Sequence, residues 1–317
     1  IPLPGPNRMD ILLVVDDSPM MGAQRDRVRA HTAGLAEVLR TLPGGIPDIH
    51  LGVVSTTVAT NAPDGCAGSG LLQTNGATVT GSFVSDRPFE GERQTNYTGD
   101  LADVVETMAD LGSGGCANPK PFEATKRALA NTVENAGFFR ADAYLYVIYL
   151  VSGPESSSGT PAQFAAELKA LKPDPNQVLV SALFATEAPA RFSELVAAFP
   201  NRSSTSTLDA PAPSDAFALL AQLLKIPLGD PCWSSPLADL DPVAPGLQPE
   251  CTAQLHTATD DFPMKGCAPG LTTLCYSIVE DRQNCPGSGL RITLAHTDNY
   301  RYAGNTAVIE CLVEATP

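Results

Sequence analysis

Basic residues are scarce in this chain. It has 20 Lys plus Arg against 35 Asp plus Glu, a formal net charge of −15 over 317 residues. A protein this acidic is repelled by phosphate backbones and anionic lipid, which sets nucleic acid and membrane surfaces aside as partners. Long apolar runs are missing too. The strongest, Tyr144 to Val151, has eight residues, or nine with Ala143, far short of the roughly 20 that a membrane-spanning helix needs. No Cys-x-x-Cys occurs, so zinc ribbons, thioredoxin-type motifs and c-type haem attachment have no support. His-Glu-x-x-His and Gly-x-Ser-x-Gly are also absent, and the histidines, His31, His50, His256 and His296, are scattered. Hydrolase chemistry therefore has no motif, and the chain reads as a non-enzyme. No signal peptide is visible. Ile1 is not a natural start residue, so the chain is expected to be a mature or truncated form whose targeting segment is gone.

What is present begins with cysteine. There are eight, and six of them crowd the C-terminal part: Cys232, Cys251, Cys267, Cys275, Cys285 and Cys311. Such clustering fits disulfides better than buried free thiols and implies an oxidising compartment: extracellular, cell surface or periplasmic. Cys66 is expected to pair with Cys116, and the six late cysteines among themselves. Cys232–Cys251 is the favoured bridge there, because these two bracket a Pro-rich segment.

The stretch that organises the chain is Asp10 to Met21, DILLVVDDSPMM. Its apolar run is short and bounded by turn formers, as in a strand buried on both faces. Asp16, Asp17, Ser18 and Pro19 end the run, and a helical pattern follows with Val28, Leu35, Leu39 and Leu42 on one face, stopped by Pro43-Gly44-Gly45. Strand, oxygen-rich turn and helix is where open α/β sheets bind ligands. Asp48–Thr56 reads as a second strand. Residues 57–99 form a surface excursion with a short hairpin around Ala77–Val84. Helices are expected around Leu101–Leu111 and around Phe122, Leu129 and Val133. Ala143–Val151 is the strongest strand and should be central. A helix with Phe164, Leu168 and Leu171, a strand Gln177–Ala185, and helices carrying Phe192–Phe199 and Phe217–Leu224 complete the pattern. Strands alternating with helices imply a doubly wound, mostly parallel α/β sheet. After Ile226 helical periodicity stops and short β-like runs appear at 252–257, 272–279, 290–295 and 307–313. This reads as a small antiparallel β domain dependent on disulfides. The expected organisation is an N-terminal extension at 1–8, an α/β domain at 9–225 and a Cys-rich β domain at 226–317.

Asp16-Asp17-Ser18-Pro19-Met20 resembles the first motif of von Willebrand factor A (vWA) domains, Asp-x-Ser-x-Ser after a hydrophobic strand. The element order over residues 9–225 matches that family as well. The chain is similar to secreted vWA proteins of deltaproteobacteria, in which a Gly-Gly-Cys before a helix and a late segment like Pro231-Cys232…Cys251 recur. The resemblance implies a metal-ion-dependent adhesion site, where oxygen-bearing side chains hold Mg²⁺ and a partner carboxylate completes the octahedron. Mg²⁺ wants hard oxygen ligands in octahedral geometry. Asp16 and Ser18 match the motif, whereas Met20 replaces a hydroxyl with a soft thioether. The family's threonine falls near Ser113, and its later aspartate aligns with Gly153, leaving Glu155 as a substitute. The metal candidates are thus Asp16, Ser18, Ser113 and Glu155 in a degenerate site, with no cofactor expected beyond weak Mg²⁺ or Ca²⁺. The alternative is that Asp16, Asp17 and Ser18 cap the following helix.

Other signals are set aside. Gly112-Ser113-Gly114-Gly115-Cys116-Ala117 fits G-x-G-x-x-A, but a helix precedes it where the dinucleotide fingerprint needs a strand. His31 is read as solvated and Trp233 as packing against a disulfide. Asn96-Tyr97-Thr98 and Asn201-Arg202-Ser203 fit the glycosylation pattern. The expected function is secreted or cell-surface protein–protein interaction or adhesion. The partner is a protein, another copy of the chain or an extracellular assembly, and the alternative is a structural, metal-independent subunit of such an assembly.

Overall fold

The computed structural model describes residues 8–41, 46–58, 68–89, 92–173, 175–185, 188–200, 202–209, 232–233, 236–241, 243–244, 246–256, 261–268, 275–282, 285, 287–295 and 306–313. The chain divides into two compact units, one spanning Asn7–Lys225 and the other including Ile226–Pro317.

The first unit is built on a seven-stranded sheet. Its strands are β1 (Arg8–Val15), β2 (Asp48–Ser55), β3 (Val84–Phe89), β4 (Glu92–Thr95), β5 (Tyr144–Val151), β6 (Val178–Phe184) and β7 (Ser203–Thr207). The order is β4-β3-β2-β1-β5-β6-β7. Strands β2, β1, β5, β6 and β7 run parallel, and β3 and β4 add an antiparallel edge. Alternate residues of β1 enter opposite cores, as strand geometry requires. Ile11, Leu13 and Val15 pack on one face with α1 (Arg25–Thr41) and α2 (Leu101–Ala109). Leu12 and Val14 pack on the other with α3 (Pro121–Ala130), α4 (Pro161–Ala170) and α5 (Ala190–Ala197). Helices on both faces explain why the parallel strands are continuous apolar runs. Thr160 opens α4 with a capping box to Gln163, and Pro161 fits the first turn. This is a doubly wound, vWA/Rossmann-like α/β fold, with its switch point between β1 and β5, which lie side by side and lead into opposite halves of the sheet.

Several elements differ from the sequence pattern. The hairpin lies at β3–β4, later than Ala77–Val84; β4 is exposed throughout, so it carries no apolar alternation to reveal it. Helix α3 stops at Ala130 because the Asn131 carboxamide oxygen accepts from the Val133 and Glu134 N–H groups, and Val133 is left exposed. Strand β7 is all Ser and Thr. Its inward Ser204 hydroxyl lies 2.5 Å from Ser181 Oγ, which accepts from Tyr146 Oη at 2.7 Å. His31 is buried, not solvated: α1 packs beneath the residues after β7, with His31 Nε2 3.1 Å from the Leu208 carbonyl. The Asn96 carboxamide is engaged internally, accepting from Ser85 N and donating to the Thr80 and Phe83 carbonyls, so this glycosylation signal is a half-buried clasp. Asn201 and the helix expected over Phe217–Leu224 lie outside the described residues.

At the amino ends of the strands sits a buried charge cluster. Arg140 donates to Asp10 Oδ1 at 2.7 Å and Asp48 Oδ1 at 2.5 Å. Lys172 Nζ donates to the Arg140 carbonyl at 2.6 Å and lies 4.1 Å from the Phe139 ring centroid. Burial lifts the Asp10 carboxyl to about 6 against the opposing pull of Arg140. It lowers the Lys172 ammonium to about 8, against Asp10.

The second unit contains two three-stranded sheets. One has β8 (Cys251–His256) between β9 (Asp261–Pro263) and β13 (Thr306–Cys311), all antiparallel. The other has β11 (Cys275–Glu280) between β10 (Lys265–Gly266) and β12 (Leu290–Ala295), antiparallel except for β10. Three disulfides hold them: Cys232–Cys285, Cys251–Cys311 and Cys267–Cys275. The expected Cys232–Cys251 bridge is not formed. Cys251 faces Cys311 directly across the β8–β13 pair, with Cα atoms 4.1 Å apart, and Cys232 lies beside β12 at Arg291. Strand register, invisible along the sequence, sets the pairing. Trp233 follows the Cys232 bridge and is half-buried, donating its backbone N–H to Leu290. Cys116 is disulfide-bonded, and its expected partner Cys66 lies outside the described residues. No helix among the described residues is long and apolar enough to cross a membrane.

Candidate functional site

The carboxyl ends of β1, β2 and β5 meet in a crest of three loops. Asp16 ends β1 and is fully buried. Its Oδ1 accepts the Ser18 N–H at 2.8 Å. Its Oδ2 accepts both the N–H and the hydroxyl of Ser152, after β5, at 3.0 and 2.8 Å. The carboxylate therefore ties its own loop to the β5 loop. Ser18 is fully buried, and its hydroxyl makes no hydrogen bond within the protein. It occupies the cap position of a short 3-10 turn at Pro19–Gln24, yet makes no side-chain cap. The capping alternative is thus not what holds this hydroxyl.

Asp17 faces the β2 loop. Its Oδ2 accepts from Ser55 Oγ at 2.6 Å, and its Oδ1 from Thr56 Oγ1 at 3.3 Å and Thr57 Oγ1 at 2.9 Å. Thr57 Oγ1 in turn accepts the Cys116 N–H at 2.8 Å, and Gly115 N–H donates to the Asp17 carbonyl at 2.7 Å. A Cβ at Gly115 would overlap the Asp17 carboxylate and the Thr57 hydroxyl, so the approach of the loops demands glycine there.

The other metal candidates, Ser113 and Glu155, have neighbours of their own. Ser113 packs against Gly22 of the 3-10 turn, where an added Cβ would lie 3.5 Å from Ser113 Oγ. Glu155 is buried and accepts the Ser157 N–H at 2.8 Å and Arg191 Nε at 2.6 Å. Arg191 also donates to the carbonyls of Ser157 and Gly159, closing the loop before α4. Neither Ser113 nor Glu155 shares a hydrogen bond with Asp16 or Ser18. Among the described residues no three His, Cys, Asp or Glu side chains group as metal ligands.

Met20 is 47% exposed, and its side chain lies over Gly153. A Cβ at Gly153 would overlap the Met20 Cε methyl, with Met20 Sδ at 3.7 Å and Pro119 Cγ at 3.6 Å. The two positions that depart from the vWA ligand pattern are thus in contact with each other. One orphaned hydroxyl at Ser18 suits a cation, but a carboxylate engaged by three donors and a thioether over a glycine do not make an octahedral oxygen set.

No protein-family model matches the chain, and no curated protein matches it. Two structures of proximal thread matrix protein 1 from the mussel byssus, one of them its crystal form 2, are similar, each at 16% identity and a TM-score of 0.41. The matches cover 70% of this chain and 48% and 47% of the mussel chains, so this chain spans about half their length. The fold assignment accordingly stands on the strand order and on the crest itself.

Sequence reasoning gave Asp17 only a capping role and passed over Ser152 and the Ser55-Thr56-Thr57 triplet. A signal was present: a run of hydroxyl residues ending a strand beside one that ends in Asp-Asp places donors next to acceptors. Arg191 carried no local signal, because its partner Glu155 lies a whole helix away.

Proposed function

We propose that this is a non-enzymatic, secreted or cell-surface protein whose vWA-like unit engages a protein partner without a bridging metal ion. The observation that carries the reading is the contact of Met20 with Gly153, at the two positions where the family pattern calls for oxygen ligands. Asp16, the motif's carboxylate, is turned inward onto Ser18 and Ser152 rather than toward a cation. Recognition then falls to loops on the rigid sheet, where binding residues concentrate. Disulfides in the second unit support an oxidising compartment, and the acid-rich composition supports a basic partner surface. The test is capture of partners from the native source by the immobilised full chain, in EDTA and in excess Mg²⁺ or Mn²⁺. The same proteins should be retained under both conditions. Capture that EDTA abolishes would overturn the reading in favour of an intact adhesion site, and recovery of the chain alone would favour a self-assembling subunit.

A further inference from the structure

Between the carboxyl ends of β1 and β2 and the 68–75 segment lies a cavity of about 350 Å³. One wall comes from the excursion between β2 and β3, and another from Asp17 in the loop after β1. Asp17 lines it and is the one ionised side chain among the described lining residues. Its hydrogen bonds are to the neutral hydroxyls of Ser55, Thr56 and Thr57, which leaves its charge uncompensated. These three occupy most of the roughly four lone-pair positions of a carboxylate, and the vacant one is on Oδ2.

Two amides complete the wall. Gln73 directs its Nε2 to the Leu71 carbonyl at 3.1 Å. Asn75 directs its Nδ2 to the carbonyls of Thr107 at 3.1 Å and Asp110 at 2.5 Å. Each amide thus has its donor end anchored to backbone, while its oxygen makes no hydrogen bond in the protein. The lining thus holds a carboxylate and two amides whose oxygens are not engaged, a set matched by a group that only donates. An ammonium group has three donors and no acceptor. A guanidinium binds best through two parallel bonds to one carboxylate, and here Asp17 Oδ1 already accepts two hydroxyls.

We propose that this cavity takes a primary ammonium group, presented as a lysine side chain by the protein partner. The assignment to a protein rests on the interaction reading above; the ammonium site itself does not. The net charge of −15 would draw such a side chain in.

The experiment titrates the full ¹⁵N-labelled chain with N-acetyl-lysine methylamide, with cadaverine and with the Nε-acetylated lysine derivative, following backbone amide shifts. Saturable shifts at Ser69, Gly70, Gln73 and Asn75 with the lysine derivative, absent with its acetylated form, are expected. Gln73→Met keeps the side-chain length, removes one acceptor and should weaken binding about fivefold. Asp17→Asn should abolish it; if that variant does not fold, Gln73→Met decides alone. Equal shifts with the acetylated derivative, or no effect of Gln73→Met, would overturn the site. Cadaverine binding more than about tenfold tighter would overturn the assignment to a protein lysine in favour of a free amine. The interaction reading is decided separately, by capture in EDTA, and survives failure of this titration.

Discussion

The Cε methyl of Met20 fills the space into which any side chain at position 153 would grow, so two departures from the adhesion motif form one structural unit. In sequence they look like independent losses. In the fold the thioether covers the glycine, so a side chain at 153 must first displace the end of Met20.

This coupling predicts a non-additive result. Gly153→Asp alone places a carboxylate against Met20, and Met20→Ser alone exposes a bare glycine; neither should bind Mg²⁺ or Mn²⁺. The double variant M20S/G153D should add two oxygen ligands beside Asp16 and the unpartnered Ser18 hydroxyl and show saturable binding by calorimetry. Submicromolar Mg²⁺ binding by the unaltered chain would sink the argument, because it would require ligands that the crest does not assemble.

The architecture was legible because local signals carry it. The run Ile11–Val15 is apolar at every position because both faces of β1 are covered, and the Asp-Asp-Ser that follows stands at the strand's end by chain geometry alone. What was not legible depends on residues far apart. The Met20–Gly153 contact, the Glu155–Arg191 pair and the Cys251–Cys311 register each join segments whose meeting is set by topology. Strand β7 escaped for another reason: its inward residue is a serine satisfied by hydroxyls, so burial there leaves no hydrophobic pattern.

Arg140 should be the most sensitive surface-proximal residue of the α/β unit. It neutralises Asp10, which is fully buried, and Asp48, which is nearly so. Removing one partner of a buried ion pair strands the other charge, typically at a cost of about 3–5 kcal/mol. Arg140→Met should lower stability by about that amount in urea unfolding. Adding Asp10→Asn should recover part of the loss, since the stranded charge is then gone. A loss below about 1 kcal/mol would show that the cluster is solvated.

The same cluster sets a pH dependence. Burial holds the folded-state pKa of Lys172 at about 8, below the ordinary 10.5, so its contribution to stability is full above 10.5 and is lost as pH falls through 8. Asp10 is raised from 3.8 to about 6, so its contribution is full below 3.8 and is lost as pH rises through 6. Between 6 and 8 both groups act against the folded state. The thermal midpoint of Lys172→Met relative to the unaltered chain should therefore be most favourable below pH 8 and decline toward pH 10.5. A difference that does not change with pH would refute the burial of Lys172 as the cause.

The second unit should depend on its cross-links in proportion to the chain each one closes. Its buried apolar cluster among the described residues is Ala253, Leu255, Met264 and Ala307, too little to order the unit by hydrophobic burial alone. Cys251–Cys311 and Cys232–Cys285 span 60 and 53 residues, and Cys267–Cys275 spans 8. Cross-link entropy grows with the logarithm of the closed loop, giving about 4 kcal/mol for each long bridge and about 2.5 kcal/mol for the short one. The paired replacements C251A/C311A and C232A/C285A should each abolish or sharply weaken the urea transition of this unit, while C267A/C275A should leave a folded but less stable unit. The first unit's transition should be unmoved by all three, because its sheet is stabilised by its own two apolar faces. If C267A/C275A proved as damaging as either long-bridge pair, the short bridge would be holding native geometry directly, and loop length would not be what ranks these disulfides.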